Sequence, residues 1–418
     1  MYSIYYIESA QLNILLNKLK NIYNIFSPVI KDPKAKEIDY FYGVGKYKTF
    51  LTTETSQGRI LSPPTSLADE VSCKHTANTE PLIFNAYRTV EPLKSFFTYP
   101  YEKITDYFMV QESIKTYLTT ENRMKLSRSD FLVPEGNITA VMDKTIVWGV
   151  KSCDIAGHKV QDFVFLEGVE VDAWYQLRRE NLILISGDCT DFKEVCHCLA
   201  WEILPYPTWG FDLNLSPLTE GYVVEVGSKK GEEFIQQYKE YFVKALETQV
   251  SARKIKRDKL IERLKRHLAP QNLVSKDSVQ KLVRQGYNLD TWQQFMLPCV
   301  ECGGCNLICD TCHCFLLADK PSPGAQEPGK KEGVRNKKVR LWDSCQYANY
   351  ARVAGGANPL KTRAQRLRNR FMKKFDFFVD NLGMPACCGC GRCIEVCPGK
   401  IDIREVLKDL AKKVARGE

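Results

Sequence analysis

Two cysteine runs constrain this chain more than any other feature. Near residue 300 it reads C-V-E-C-G-G-C-N-L-I-C, and near residue 390 it reads C-C-G-C-G-R-C-I-E-V-C-P. Cys299, Cys302, Cys305 and Cys309 in the first run, and Cys387, Cys390, Cys393 and Cys397 in the second, follow C-x2-C-x2-C-x3-C. Thiolates at three-residue intervals let one tight loop reach three corners of an iron–sulfur cubane. The fourth cysteine, about one helical turn further on, ligates the other cluster in two-cluster ferredoxins. The spacing therefore predicts two 4Fe-4S clusters with crossed ligation. Cys299, Cys302 and Cys305 pair with Cys397, and Cys387, Cys390 and Cys393 pair with Cys309. Gly303, Gly304, Gly389 and Gly391 suit the tight turns. A zinc ribbon accounts for two C-x2-C knuckles, but not for a third thiol at the same interval and a fourth one turn later, twice. One departure is Asp310, which follows Cys309 where Pro398 follows Cys397.

The chain holds 17 cysteines in 418 residues. A disulfide-built secreted protein is normally small and begins with a signal peptide. Here the start, Met1-Tyr2-Ser3-Ile4-Tyr5, has no basic segment, and no run of 18 apolar residues exists. The expectation is a reducing, cytoplasmic setting with no transmembrane segment, where grouped cysteines mean metal or redox chemistry. The formal charge of +9 counts every cysteine as a neutral thiol, so it argues only weakly for nucleic acid. The basic run Arg253–Arg266 has no aromatic stacking motif beside it and reads as a solvated helix face. No nucleic-acid partner is expected.

The order of elements predicts an α+β protein: an N-terminal α/β domain, then a helical ferredoxin-like domain. Ser3–Ile7 reads as a strand. Leu12, Leu15, Leu16, Leu19, Ile22 and Phe26 recur at helical spacing, with Ser9 as a candidate cap. Residues 52–80 read as loop. Thr145–Val150, a helix over Asp154–Leu166 and Leu182–Ser186 form a parallel strand–helix–strand unit. Phe211–Leu215 and Tyr222–Val226 read as a hairpin, residues 231–268 as a long charged helical region, and residues 318–338, rich in Pro and Gly, as linker or surface loop. The boundaries drawn are 1–230 for the α/β domain, 231–290 for the charged helical region and 291–418 for the dicluster domain.

A second thiol group sits in the α/β domain. Cys153 follows the first parallel strand and Cys189 the second, with Cys196 and Cys198 just beyond in C-H-C. Carboxyl ends of neighbouring parallel strands lie together. Four thiols then converge on one crevice, and a possible third 4Fe-4S cluster is the reading. The alternative is that Cys153 and Cys189 are small buried core residues. His197 reads as a bystander. Cys312, Cys314 and Cys345 are only three thiols, and packing around the first cluster is preferred over a further metal centre. Cys73 and Cys388 read as spares. Gly324–Lys331 nearly matches a P-loop but lacks its Ser/Thr and contains Pro328. Gly43-Val44-Gly45 lacks a third glycine. The chain shows no nucleotide or flavin motif of its own.

These residues together resemble a known family. P-L-K-S-F-F at Pro92–Phe97, G-V-K-S-C-D at Gly149–Asp154, G-D-C-T with C-H-C over Gly187–Cys198 and G-F-D-L at Gly210–Leu213 are similar to the iron–sulfur β subunit of sulfhydrogenase-type NiFe hydrogenases and to the A component of anaerobic sulfite reductase. V-E-V-G-S at Val224–Ser228, W-D-S-C-Q at Trp342–Gln346 and the two cluster runs extend the likeness over about residues 85–405. The resemblance implies an anaerobic hetero-oligomer, in which this chain is a non-catalytic electron-transfer subunit. Its partners would be a catalytic subunit of hydrogenase or reductase type and a flavin-containing NAD(P)H-linked subunit. Cys153 and Cys189 are also similar to a cluster site in deazaflavin-reducing hydrogenase β subunits. The alternative function is a self-contained reductase with a flavin or substrate at the Cys153/Cys189 crevice.

Overall fold

The computed structural model describes residues 3–30, 40–44, 85–110, 113–115, 144–321 and 334–418. Cys73, the polar stretch 52–80, Gly45 and the P-loop-like Gly324–Lys331 lie outside the described residues.

The first strand, β1 (Ile4–Glu8), turns directly into α1 (Ser9–Leu19), whose Leu12, Leu15, Leu16 and Leu19 are buried on one face. Two expectations change here. Glu8 occupies the N-cap position and no side chain caps the helix, so Ser9 is its first residue. The helix also stops at Leu19: Ile22 is exposed and Phe26 belongs to β2 (Asn24–Ile30). Parallel pairing of Asn24–Phe26 with Thr145–Val147 draws the chain out of the helical period.

Along the chain follow β3 (Tyr40–Val44), β4 (Tyr101–Val110), β5 (Ser113–Lys115), β6 (Thr145–Val150), α2 (Ser152–Leu166), α3 (Ala173–Asn181), β7 (Leu182–Gly187), β8 (Leu213–Pro217) and β9 (Gly221–Val226). Then come α4 (Lys229–Gln237), β10 (Val243–Lys244) and α5 (Glu247–Leu268). The main sheet has the order β10-β1-β9-β8-β7-β6-β2-β3. Its centre, β2, β6, β7 and β8, is parallel, and the outer pairs are antiparallel. Central parallel strands are covered on both faces, which is why they read as unbroken apolar runs. Ile146 and Trp148 of β6 and Ile183 and Ile185 of β7 pack with α1 and α4. Val147 and Val150, with Leu182 and Leu184, face α2 and Tyr175 of α3. The charged region 231–268 is not one helical stretch. Val243–Lys244 interrupts it as a two-residue strand on β1.

The expected linker at 318–338 is in part a hairpin. The strands β11 (Phe315–Pro321) and β12 (Val334–Trp342) pair antiparallel, and β12 also pairs with β4, giving a second sheet β11-β12-β4-β5. Its charged residues are not all solvated. Arg340 lies buried in β12, ion-paired with Glu102 of β4 and with Asp172, and Glu102 also meets Arg178 of α3. Each charge in this network has a partner, so β12 carries a buried Arg just beyond the expected loop. The sheet also joins residues 101–115 to residues 315–342 across the boundary drawn at 291.

The helical part comprises α6 (Lys276–Gln285), α7 (Thr291–Met296), α8 (Gly304–Leu307), α9 (Arg363–Met372), a π-helical turn (Lys373–Phe377), α10 (Phe378–Leu382), α11 (Arg392–Glu395) and α12 (Ile403–Ala415). Its core is Val279 and Val283 of α6, Trp292, Phe371 and Phe375, and Val406 and Leu410 of α12. The architecture is α+β. Among the described residues no helix is long and apolar enough to cross a membrane.

Candidate iron–sulfur centres

The two cysteine runs fold alike. In each, a glycine with positive φ caps a one-turn helix: Gly303 before α8, and Gly391 before α11. The second run adds a further constraint at Gly389, whose φ is +64°. A Cβ there would lie 2.5 Å from the backbone nitrogen of Cys198, so only glycine lets the run close against the C-H-C segment. That closure is held by the hydrogen bond from His197 N to Gly389 O, 2.8 Å. Gly389→Ala is expected to destabilise the fold by about 1–3 kcal/mol or more from backbone strain plus displacement of Cys198. Denaturant unfolding of the variant beside wild type is the check, and an unchanged midpoint would refute it.

The runs meet at their ends. Cys299 lies in the field of Cys397 and Cys302, and Cys305 in that of Cys393, Cys397 and Cys299. Cys387 and Cys393 are both coupled to Cys309 and Cys390. The runs thus mix at their ends, with Cys397 beside thiols of the first run and Cys309 beside thiols of the second. Cys302 is exposed, whereas Cys309 and Cys390 are buried. Burial pushes the Cys305 and Cys387 thiols up to about 11 and Cys393 up to about 12. Cys309 is pulled well below its ordinary value by the Cys312 thiol, then by Lys374 and Arg370. Cys390 falls to about 6 beside Cys388, Arg392 and Arg88.

The other thiol group also converges. Cys153 lies in the first turn of α2 and is coupled to Cys390 and Cys189. Cys189 is coupled to Cys196, and Cys198 to both. These four line one small cavity, with Tyr87, Arg88 and Gly389. Cys153, Ala156, Cys388 and Cys390 pack together, so this group abuts the second run. Cys388 sits between the two sets rather than apart from them. His197 turns away: Nδ1 meets Val195 O at 2.9 Å and the ring faces Trp201.

Do the donors fit a 4Fe-4S group? A thiolate-ligated cluster is anionic, and a buried anion needs nearby cations and N–H donors. Arg370 is buried and coupled to Cys305, Cys393, Cys312 and Cys309. Lys374, also buried, reaches Cys309 Sγ at 3.4 Å and Thr311 Oγ1 at 2.6 Å. Lys151 is buried beside Cys189 and Cys153. Backbone N–H groups of Glu301 and Ile401 donate to Cys299 Sγ and Cys397 Sγ, each at 3.4 Å. Among the described residues, no three His, Cys, Asp or Glu side chains converge on a single metal ion. The buried cations and N–H donors beside these thiols fit an anionic, thiolate-bound group.

The cations are the part sequence reasoning missed. Arg366, Arg370 and Lys374 recur every four residues, which reads as a basic solvated stripe. All three are buried. The signal was their interleaving with Phe371 and Phe375, which places the stripe inside a core. The π turn carries Lys374, and such turns often occur at functional sites. Lys374→Met is expected to move the midpoint potential of the centre at Cys309 to more negative values, because the lost ammonium favours the reduced, more anionic state. Cluster retention is expected to fall by about tenfold or more. EPR-monitored redox titration reads the first and iron analysis the second.

With the geometry in hand, a family profile described as a 4Fe-4S dicluster domain matches residues 298–401. The protein is thus of the iron–sulfur, electron-transfer class of oxidoreductase components. The sulfhydrogenase 2 subunit beta of Pyrococcus furiosus is 30% identical to it over 282 residues, which are 67% of this chain and 78% of that protein. The chain belongs to that iron–sulfur beta-subunit family.

Proposed function

We propose that this chain is the electron relay of a multi-subunit oxidoreductase, linking a catalytic subunit of hydrogenase or reductase type to a flavin-containing NAD(P)H-linked subunit. The observation that carries the reading is the succession of thiol groups. It starts at exposed Cys302, runs through buried Cys309 and Cys390 with half-buried Cys387 and Cys393, and reaches Cys153, Cys189, Cys196 and Cys198 at a cavity. Cys299, Cys302, Cys305 and Cys397 would hold one 4Fe-4S cluster, the second set another, and the Cys153 group a third. When bound, such clusters supply one-electron transfer, with potentials set by ligands, hydrogen bonds and burial. The protein's part is to exclude water, fix the thiolates and balance their charge with Arg370, Lys374, Arg88 and Lys151.

The test is anaerobic affinity purification followed by assay of the isolated chain. The relay reading expects two partners to co-purify, one flavin-containing and one metal-containing and catalytic. It also expects the isolated chain not to oxidise NAD(P)H. NAD(P)H oxidation by the chain alone, retained after the partners are stripped, would favour the second reading, a reductase site at the Cys153/Cys189 cavity. Cys189→Ala is expected to lower iron by about four per chain. Unchanged iron and an unchanged reduced-state EPR spectrum would remove the third centre.

A further inference from the structure

The first cysteine run reaches the surface at Cys302, and apolar side chains gather there. Leu297 is 75% exposed, Val300 64% and Val396 37%. Val396 stands beside Cys302: a Cβ on Gly304 would lie 3.4 Å from Val396 Cγ2 and 3.6 Å from Cys302 Sγ. Val300 lies between Cys299 and Cys302 in the first run. The carbonyl of Pro298, beside Leu297, comes so close to Gly399 that a Cβ there would collide with it. The three apolar side chains thus collect from the edges of both runs around one exposed thiol. Large apolar residues gathered in this way on a surface mark an interaction site.

Cations edge the patch. Lys400 is exposed, and its N–H donates to Cys397 O at 3.1 Å. Arg363 is exposed, and its Nη1 donates to Cys299 O at 2.6 Å. Lys361 is exposed, and its carbonyl accepts from Arg366 Nη1 at 3.0 Å. Glu301 is the acid of the first run, and its carboxylate is answered by Arg366 at 3.0 Å and Arg363 at 3.8 Å. Lys361 and Lys400 form no ion pair among the described residues. An apolar centre inside a charged rim is the make-up of a protein interface. Stable interfaces bury about 1,200–2,000 Å2, and redox encounters sit below that. Three apolar side chains inside a cationic rim suit the smaller class. There, long-range attraction brings in an oppositely charged partner, and a small contact lets it leave.

We propose that this face docks an acidic, diffusible one-electron carrier protein. The carrier's carboxylates meet Lys361, Arg363 and Lys400, and its redox centre faces Cys302. This port rests on the relay reading and adds a partner at its exposed end. In each encounter the carrier loses one electron and this chain gains one, at the thiolate-bound group of Cys299, Cys302, Cys305 and Cys397. No bond forms or breaks and no proton moves, and the reverse step discharges the chain. Leu297, Val300 and Val396 exclude water from the contact and let the two surfaces close.

The experiment mixes anaerobically purified, iron-loaded chain with a small acidic 4Fe-4S ferredoxin at low salt. A carbodiimide joins lysines to carboxylates in contact, and peptide mass spectrometry maps the links. Stopped-flow absorbance follows electron transfer from the reduced ferredoxin in parallel. The expected result is links at Lys361 and Lys400 that vanish at about 0.5 M salt, where screening is nearly complete. Lys361→Glu and Leu297→Asp are each expected to slow transfer about tenfold, and Val169→Glu, at a fully exposed apolar position between α2 and α3, to leave it unchanged. Links confined to the basic helix α5 would overturn the proposal, as would transfer at the wild-type rate in both Lys361→Glu and Leu297→Asp. So would a salt-stable dimer that Leu297→Asp dissolves, since the face would then belong to a second copy. Reduction by dithionite needs no docking face and reports on the relay separately. Dithionite-reducible iron with links elsewhere sinks the docking face alone. Iron that dithionite cannot reduce sinks the relay reading, and the port with it.

Discussion

Combining Cys309→Ala with Cys393→Ala is expected to cost about four irons per chain, whereas combining Cys309→Ala with Cys305→Ala is expected to cost about eight. The contrast follows from crossed ligation. If Cys309 completes the set built by Cys387, Cys390 and Cys393, a second loss in that set removes nothing more. A loss at Cys305 strikes the other set, to which Cys299 and Cys397 belong. Each run serving only its own cluster predicts the reverse, about eight and then about four. Iron and sulfide analysis of anaerobically prepared double variants decides between them. Cys387 and Cys393 both lie in the field of Cys309, and Cys299 and Cys305 in that of Cys397, while Cys305 also meets Cys393 across the two sets.

The second large effect is expected at Arg392. Its guanidinium is 1% exposed and reaches Asp154 Oδ1 at 2.6 Å and Asp310 Oδ2 at 2.9 Å, both carboxylates being equally buried. It also donates to the backbone carbonyls of Thr89 and Val90. One side chain of the second run thus ties together the first turn of α2, the residue after Cys309, and the segment before Leu93. Arg392→Met would leave two carboxylates facing each other with no cation between. Breaking a buried ion pair from one side costs about 3–5 kcal/mol. Burial raises the proton affinity of Asp310, so its carboxyl is the one to take a proton in the variant. The deficit relative to wild type is therefore expected to shrink as pH falls. Denaturant unfolding at neutral and mildly acidic pH measures both parts. A deficit below about 1 kcal/mol, the scale of exposed pairs, would contradict the burial argument.

Asp310 also accounts for a departure seen in the sequence. The first run ends in Cys309-Asp310 where the second ends in Cys397-Pro398. Asp310 Oδ1 accepts from Lys94 N at 3.0 Å and Oδ2 from Arg392. The residue that broke the motif is the one that locks the two runs to the α/β part.

The parts of this protein that sequence could reveal are those in which chemistry dictates spacing. Eight cysteines at fixed intervals, two strands ending in thiols and an apolar run between them all carry their meaning locally. Cys153, Cys189, Cys196 and Cys198 all line one cavity beyond the parallel pair β6–β7. The hairpin of β11 and β12 was hidden because its strands are rich in Lys and Arg, and their partners Glu102 and Asp172 are far away in sequence. Buried cations were hidden for the same reason: a charge looks solvated until its anion is known. The end of α1 was misplaced because helical spacing persisted past the point where pairing with β6 takes over. In each case the deciding partner is remote.

That remoteness has a consequence for biosynthesis. Arg340 and Glu102 are 238 residues apart. At translation rates of about 5–20 residues per second, β4 must wait roughly 10–50 s on the ribosome before β12 exists to cover it. Until then one edge of β4 is an open template for aggregation, with Arg178 its available ionic partner for Glu102. The emerging polypeptide therefore carries that edge uncovered by β12 for as long as the intervening residues take to be made.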